Sequence, residues 1–162
     1  MKAGEVVKLI LAIVICQAAG LVGSIFTVPS IPTWYATLQK PSFSPPNWIF
    51  APVWTILFTL MGISLYLVWR KGRGNKNVRN ALLIFAVQLV LNVLWSVLFF
   101  GLQSPLYAFV EIIVLWAAIL FTILKFFKVS KNAALLLIPY ILWVSFAAYL
   151  NYSIWILTTI VV

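Results

Sequence analysis

Five long apolar runs, separated by short polar or proline-containing stretches, govern what this 162-residue chain can fold into. They fall at about residues 6–28, 48–69, 81–100, 106–127 and 133–158. A helix needs roughly 20 apolar residues to cross about 30 Å of hydrocarbon, and each run supplies that. Inside a bilayer every backbone N–H and C=O must be satisfied within the protein, so runs of this length must be helices. No strand-like alternation is present. The expectation is an all-α integral membrane protein, a bundle of five transmembrane helices that forms one domain over residues 1–162. Charge content agrees: 8% of residues are charged, against roughly 25% in a soluble domain whose surface must face water.

Several function classes drop out at once. The chain has no His, which excludes a His-containing zinc site, a His-ligated haem and a Ser-His-Asp triad, and no metal site is expected. Cys16 stands alone inside an apolar run and has no disulfide partner. The net charge of +9 does not mark a nucleic-acid surface, because the Lys and Arg sit at the ends of apolar runs and are not interleaved with aromatics on a polar face. The first run continues to about Val28, longer than the core of a cleaved signal sequence, and is read as a retained span.

The cations set the topology. With five spans, the N-terminus and the second and fourth loops share one side, which holds Lys2, Lys8, Arg70, Lys71, Arg73, Lys76, Arg79, Lys125, Lys128 and Lys131; the other side holds Lys40. The positive-inside rule then places the N-terminus in the cytoplasm and the C-terminus outside, if the membrane is a bacterial-type plasma membrane.

The first loop, residues 29–47, is unlike a linker. It carries Pro29, Pro32, Pro41, Pro45 and Pro46 beside Trp34 and Tyr35, a stiff, apolar-faced segment suited to lie over the bundle end as a lid. Within the spans, Gln88, Asn92, Trp95 and Phe99 share one helical face, and so do Tyr140, Trp143, Ala147 and Asn151. Such stripes suit a cavity for a flat, mostly apolar ligand, or equally amides that hydrogen-bond between helices. Pro139 should kink the fifth span. Small residues at four-residue spacing in the first span (Ala19/Gly23, Gly20/Ser24) permit helix packing, a dimer contact or room for a ligand. Glu111 is the acidic residue well inside a span. It is a candidate for proton coupling, or else snorkels to the interface or pairs with a donor.

The run Trp34-Tyr35-Ala36-Thr37-Leu38-Gln39-Lys40-Pro41-Ser42, followed by Pro45-Pro46-Asn47-Trp48 and Ala51-Pro52-Val53-Trp54, closely resembles the signature of the TspO/MBR family. That family comprises the tryptophan-rich sensory proteins of bacteria and the mitochondrial translocator protein, or peripheral-type benzodiazepine receptor. Gln88-Leu89, Leu91-Asn92, Trp95, Phe99-Phe100-Gly101, Pro139-Tyr140, Trp143, Phe146-Ala147 and Leu150-Asn151-Tyr152 continue the resemblance in order and spacing.

The resemblance implies a five-helix bundle, often a homodimer, with a pocket closed by the first loop. It implies ligands such as protoporphyrin IX and isoquinoline carboxamides, with no intrinsic cofactor. Carried onto this chain, the pocket residues are Gly23, Ser24, Thr27, Phe50, Ala51, Trp54, Asn92, Trp95, Tyr107, Trp143, Ala147 and Leu150, and the lid residues are Trp34, Tyr35, Lys40, Pro41, Pro45 and Pro46. Light-dependent porphyrin breakdown in some bacterial members is attributed to two pocket tryptophans, and Trp54 and Trp143 match those positions. Two departures stand out. Tyr149 and Tyr152 are followed by no basic residue, where animal members carry a proposed cholesterol motif, so a sterol is not expected as a ligand. Phe43 stands where many relatives have Trp. The expected function is a membrane tetrapyrrole-binding sensor or regulator. The alternatives are a light-dependent porphyrin-degrading enzyme and a transporter of porphyrin or lipid-like small molecules.

Overall fold

A computed structural model describes residues 3–72 and 74–160. Lys2 and Arg73, two of the cations used for topology, lie outside the described residues. Helix α1 covers Ala3–Ser30 and the short α2 covers Trp34–Thr37. A 3₁₀ turn, Asn47–Ile49, leads into α3, Phe50–Trp69. Then come α4 (Lys76–Ser96), a π-helical turn (Val97–Gly101), α5 (Pro105–Phe127), α6 (Lys131–Leu136) and α7 (Ile138–Ile160). Among the described residues five helical stretches are long and apolar enough to cross a membrane: Ala3–Ser30, Asn47–Trp69, Lys76–Gly101, Pro105–Phe127 and Lys131–Ile160.

The boundaries differ from the apolar runs for local reasons. Helix α1 does not stop before Pro29 but runs through it by one residue. Thr33 Oγ1 donates to the Pro29 carbonyl at 2.8 Å, occupying one of the acceptors left free at that end. Helix α4 begins five residues before its apolar run, at Lys76, because Asn75 caps it: Asn75 Oδ1 accepts from the Asn77 N–H at 2.8 Å. Ser104 caps α5 in the same way, with Pro105 as its first residue.

In the bundle α1 packs on α3 and α4, and α5 packs on α4 and α7. Gly62 is what lets α1 and α3 approach: a Cβ built on it would stand 2.5 Å from the Ile13 Cα. At the basic end of the bundle Glu5 ties these two helices together. It accepts from Lys8 Nζ at 3.1 Å and the Tyr66 hydroxyl at 3.1 Å, and Arg70 Nε lies 3.6 Å away.

The fifth span is two helices, as Pro139 foreshadows. It breaks at Leu137, where the Leu137 N–H turns back to the Ala134 carbonyl at 3.1 Å and α7 restarts with Ile141 N–H on the Leu137 carbonyl. The break redirects the chain. Helix α6 packs against α3, with Ser64 Oγ donating to the Ala133 carbonyl at 2.7 Å, whereas α7 barely touches α3. Space is left between α3 and α7 toward the end of the bundle that carries the first loop.

Candidate functional site

That space is a cavity of about 370 Å³, walled by α1, α3, α4 and α7 and bordered by Ile31, Tyr35 and Asn47 of the first loop. The small residues of α1 create its width. Ala19, Gly20, Gly23 and Ser24 all line it, and they also serve packing. A Cβ on Gly20 would meet the Phe58 ring at 2.6 Å, and one on Gly23 would meet Ser96 Oγ at 3.0 Å.

The walls are aromatic. Trp54 stacks on Phe58 with centroids 5.5 Å apart, and Trp95 stacks on Phe99 at 5.1 Å. Where α3 and α7 part, rings close the gap: Trp54 meets Tyr140 edge-on at 6.3 Å, and Phe50 meets Trp143 edge-on at 6.2 Å. Indole and phenyl faces of this kind suit a flat apolar guest.

The polar groups are few and mostly committed. Trp95 Nε1 donates to Asn151 Oδ1 at 3.1 Å, and Asn151 Nδ2 donates to the Pro105 carbonyl at 2.8 Å. Asn92 Nδ2 donates to the Tyr140 hydroxyl at 2.9 Å, which in turn donates to Gln88 Oε1 at 3.0 Å. The two readings of the amide stripes therefore coexist: Asn92 and Asn151 line the cavity and also bond between helices. On α1, Gln17 Nε2 donates to Thr59 Oγ1 at 2.9 Å and to the Thr55 carbonyl at 3.0 Å.

The first loop packs over this end. Tyr35 is 4% exposed, set against Phe99 and Phe100, and Trp34 meets Phe99 edge-on at 5.5 Å. Lys40 Nζ donates to the Tyr35 carbonyl at 2.7 Å and lies 4.7 Å from the Tyr35 ring centroid. Burial pushes the Tyr35 phenol above the ordinary tyrosine value, against a hydrogen bond with Ser44 that pulls it down. Ser44 N–H donates to the Pro41 carbonyl, and Pro46 caps the turn that starts the second span. Phe43 stacks on Tyr149 at 5.1 Å.

Of the residues singled out from the sequence, Gly23, Ser24, Thr27, Phe50, Ala51, Trp54, Asn92, Trp95, Trp143, Ala147 and Leu150 come together around this one cavity. Tyr107 does not: it is 62% exposed on α5, away from the wall. Trp116 is also elsewhere, with Nε1 donating to Ser145 Oγ at 2.8 Å. Sequence reasoning missed Gln17, Thr55, Phe58 and Ser96. Phe58 follows Trp54 by one helical turn, a spacing that contained the signal.

The TspO/MBR family model matches residues 12–156, nine-tenths of the chain and every wall of the cavity. The chain belongs to the TspO/MBR family. It is 49% identical to the tryptophan-rich protein TspO of Chlorobaculum tepidum over 150 residues, 93% of this chain and 95% of that one. Against the TspO of Archaeoglobus fulgidus the identity is 48% over 153 residues, covering 94% and 98%. The translocator protein of Ovis aries is 43% identical over 123 residues, 75% of this chain and 73% of that protein. Family members of bacterial, archaeal and animal origin thus align with a multi-pass membrane protein in which four of the five spans wall this cavity.

Proposed function

We propose that this protein is a membrane receptor for a tetrapyrrole, with metal-free protoporphyrin IX as the expected ligand, seated in the cavity beneath the first loop. The observation that carries this reading is the convergence of Trp54, Trp95 and Trp143 with Phe50 and Phe58 on one cavity of about 370 Å³. Ligand pockets of this size class are apolar and aromatic with a few placed polar groups, and a porphyrin macrocycle is a flat apolar surface with two carboxylates at its rim. A metal-free ring is favoured because the chain has no His to ligate iron. Titration of the purified protein with protoporphyrin IX in the dark, followed by tryptophan fluorescence, tests it: saturable quenching is expected, and its absence would turn the search toward other apolar ligands.

A second reading is favoured by Trp54 and Trp143, which both line the cavity. Under illumination a porphyrin held against two indoles is positioned for photo-oxidative breakdown. Protein-dependent loss of the porphyrin spectrum in light but not in the dark would make the ligand a substrate. We infer also that the basic end of the bundle, with Lys8, Arg70, Lys71, Lys76, Arg79, Lys125, Lys128 and Lys131, faces the cytoplasm of a bacterial-type plasma membrane. Reporter fusions at the C-terminus would then be active outside the cell.

A further inference from the structure

Two buried polar side chains outside the cavity lining are not explained by ligand contact. Gln88 is 1% exposed and Glu111 is 7% exposed. Gln88 Nε2 and both Glu111 carboxyl oxygens are buried without a hydrogen-bond partner in the protein. The carboxyl therefore neither snorkels to an exposed position nor pairs with a protein donor. These side chains sit on α4 and α5, which pack along each other.

Tyr140 connects Gln88 to the cavity. Its hydroxyl donates to Gln88 Oε1 and accepts from Asn92 Nδ2, and Asn92 lines the cavity. Because Gln88 Oε1 is engaged in this way, the amide hydrogens on Nε2 are left to seek an acceptor. Glu111 offers acceptors with no donor. Among the described residues no cation lies within hydrogen-bonding distance of the carboxyl. Lys76, Arg79, Lys125 and Lys131 stand at the opposite ends of the helices packed here, and Tyr107, Tyr149 and Tyr152 are 62%, 60% and 42% exposed. A bare carboxylate in a membrane interior without a counter-ion is strongly disfavoured. The neutral acid, hydrogen-bonded through a small polar molecule, is the form such surroundings accommodate.

We propose that Glu111 and Gln88 form a second site outside the cavity lining, holding a proton on the carboxyl and water between the two side chains, and that Tyr140 links this site to Asn92. A ligand group that competes for Asn92 Nδ2 then alters the Tyr140 hydrogen bond and, through Gln88, the carboxyl. The site stands whichever ligand the cavity takes.

Infrared spectroscopy of the full chain in lipid nanodiscs tests this directly. The chain has two acidic side chains, and Glu5 is ion-paired with Lys8, so the carbonyl stretch of a protonated carboxylic acid has few sources. The expected result is such a band at neutral pH, shifted in D₂O, absent from Glu111→Gln and moved in frequency by Gln88→Leu and by Tyr140→Phe. No band in the wild type, or a band retained in Glu111→Gln, would overturn the proton site. A band unmoved by Gln88→Leu would overturn the shared site, and one unmoved by Tyr140→Phe would overturn the link to the cavity. The Gln88 and Tyr140 variants keep Glu111 in place, so the proposal remains testable if Glu111→Gln does not fold.

Discussion

Ser64 on α3 holds the Ala133 carbonyl on α6 by a 2.7 Å hydrogen bond, while six residues further on Pro139 lies in a helix that diverges from α3 and meets it through few contacts. The anchored half and the departing half of one span together make room for the cavity. The cavity thus depends on a backbone break as much as on the side chains that line it.

Replacing Pro139 with Ala restores a backbone N–H and allows α6 and α7 to join. The expected outcome is a straighter fifth span, a narrower gap beside Trp54 and Trp143, and porphyrin affinity lower by about tenfold, or about 1.4 kcal/mol. Fluorescence titration measures this. Unchanged affinity would show that the break does not set the cavity width.

Trp54→Phe and Trp143→Phe each remove an indole face from the cavity wall. Each should weaken porphyrin binding by roughly 0.5–1.5 kcal/mol, the range of an aromatic contact, and slow any photochemical loss. Trp116→Phe is the control, because Trp116 bonds Ser145 away from the cavity. Equal effects in all three variants would count against the site.

Gly62→Ala drives a methyl group into the α1 backbone, where a Cβ would stand 2.5 Å from the Ile13 Cα. Overpacking of this kind costs about 1–3 kcal/mol. The thermal unfolding midpoint in detergent should fall, whereas Gly4→Ala, with nothing within 4 Å of the new atom, should leave it unchanged.

The buried Tyr35 phenol makes the loop sensitive to high pH. A raised value in the folded state means that Tyr35 contributes its packing in full below the ordinary tyrosine pKa of about 10. That contribution is lost as pH rises through the higher folded value. Alkaline difference absorbance between the wild type and Tyr35→Phe should show one phenol titrating later than a free tyrosine. A difference titrating at the free value would mean that the loop does not bury Tyr35 in solution.

The spans were legible because hydrocarbon demands unbroken apolar runs, and Pro, Gly and cations punctuate them. The ends were less so, since Asn75 and Thr33 extend helices through polar contacts that hydropathy does not register. The site was legible as stripes: Asn92/Trp95 and Trp143/Ala147 recur at helical spacing and face the cavity. The π-helical turn that aims Phe99 and Phe100 at Tyr35 was not, because a one-residue change in winding leaves no periodic trace. Tyr107 was assigned by resemblance and lies on an exposed face of α5. The partnerless state of Glu111 was out of reach, because a sequence names a carboxyl but not the donors around it.

The two long edges of α3 differ in kind. Against α1 it is fitted backbone to backbone at Gly62, a joint with no slack. Toward α7 it meets ring edges, Trp54 on Tyr140 and Phe50 on Trp143. Gly62 and Ile13 lie outside the cavity lining, whereas Phe50, Trp54 and Trp143 belong to it, so the tight seam sits beyond the chamber and the ring contacts sit at its edge. On the α7 side the chamber is thus bounded by side chains and not by a backbone seam.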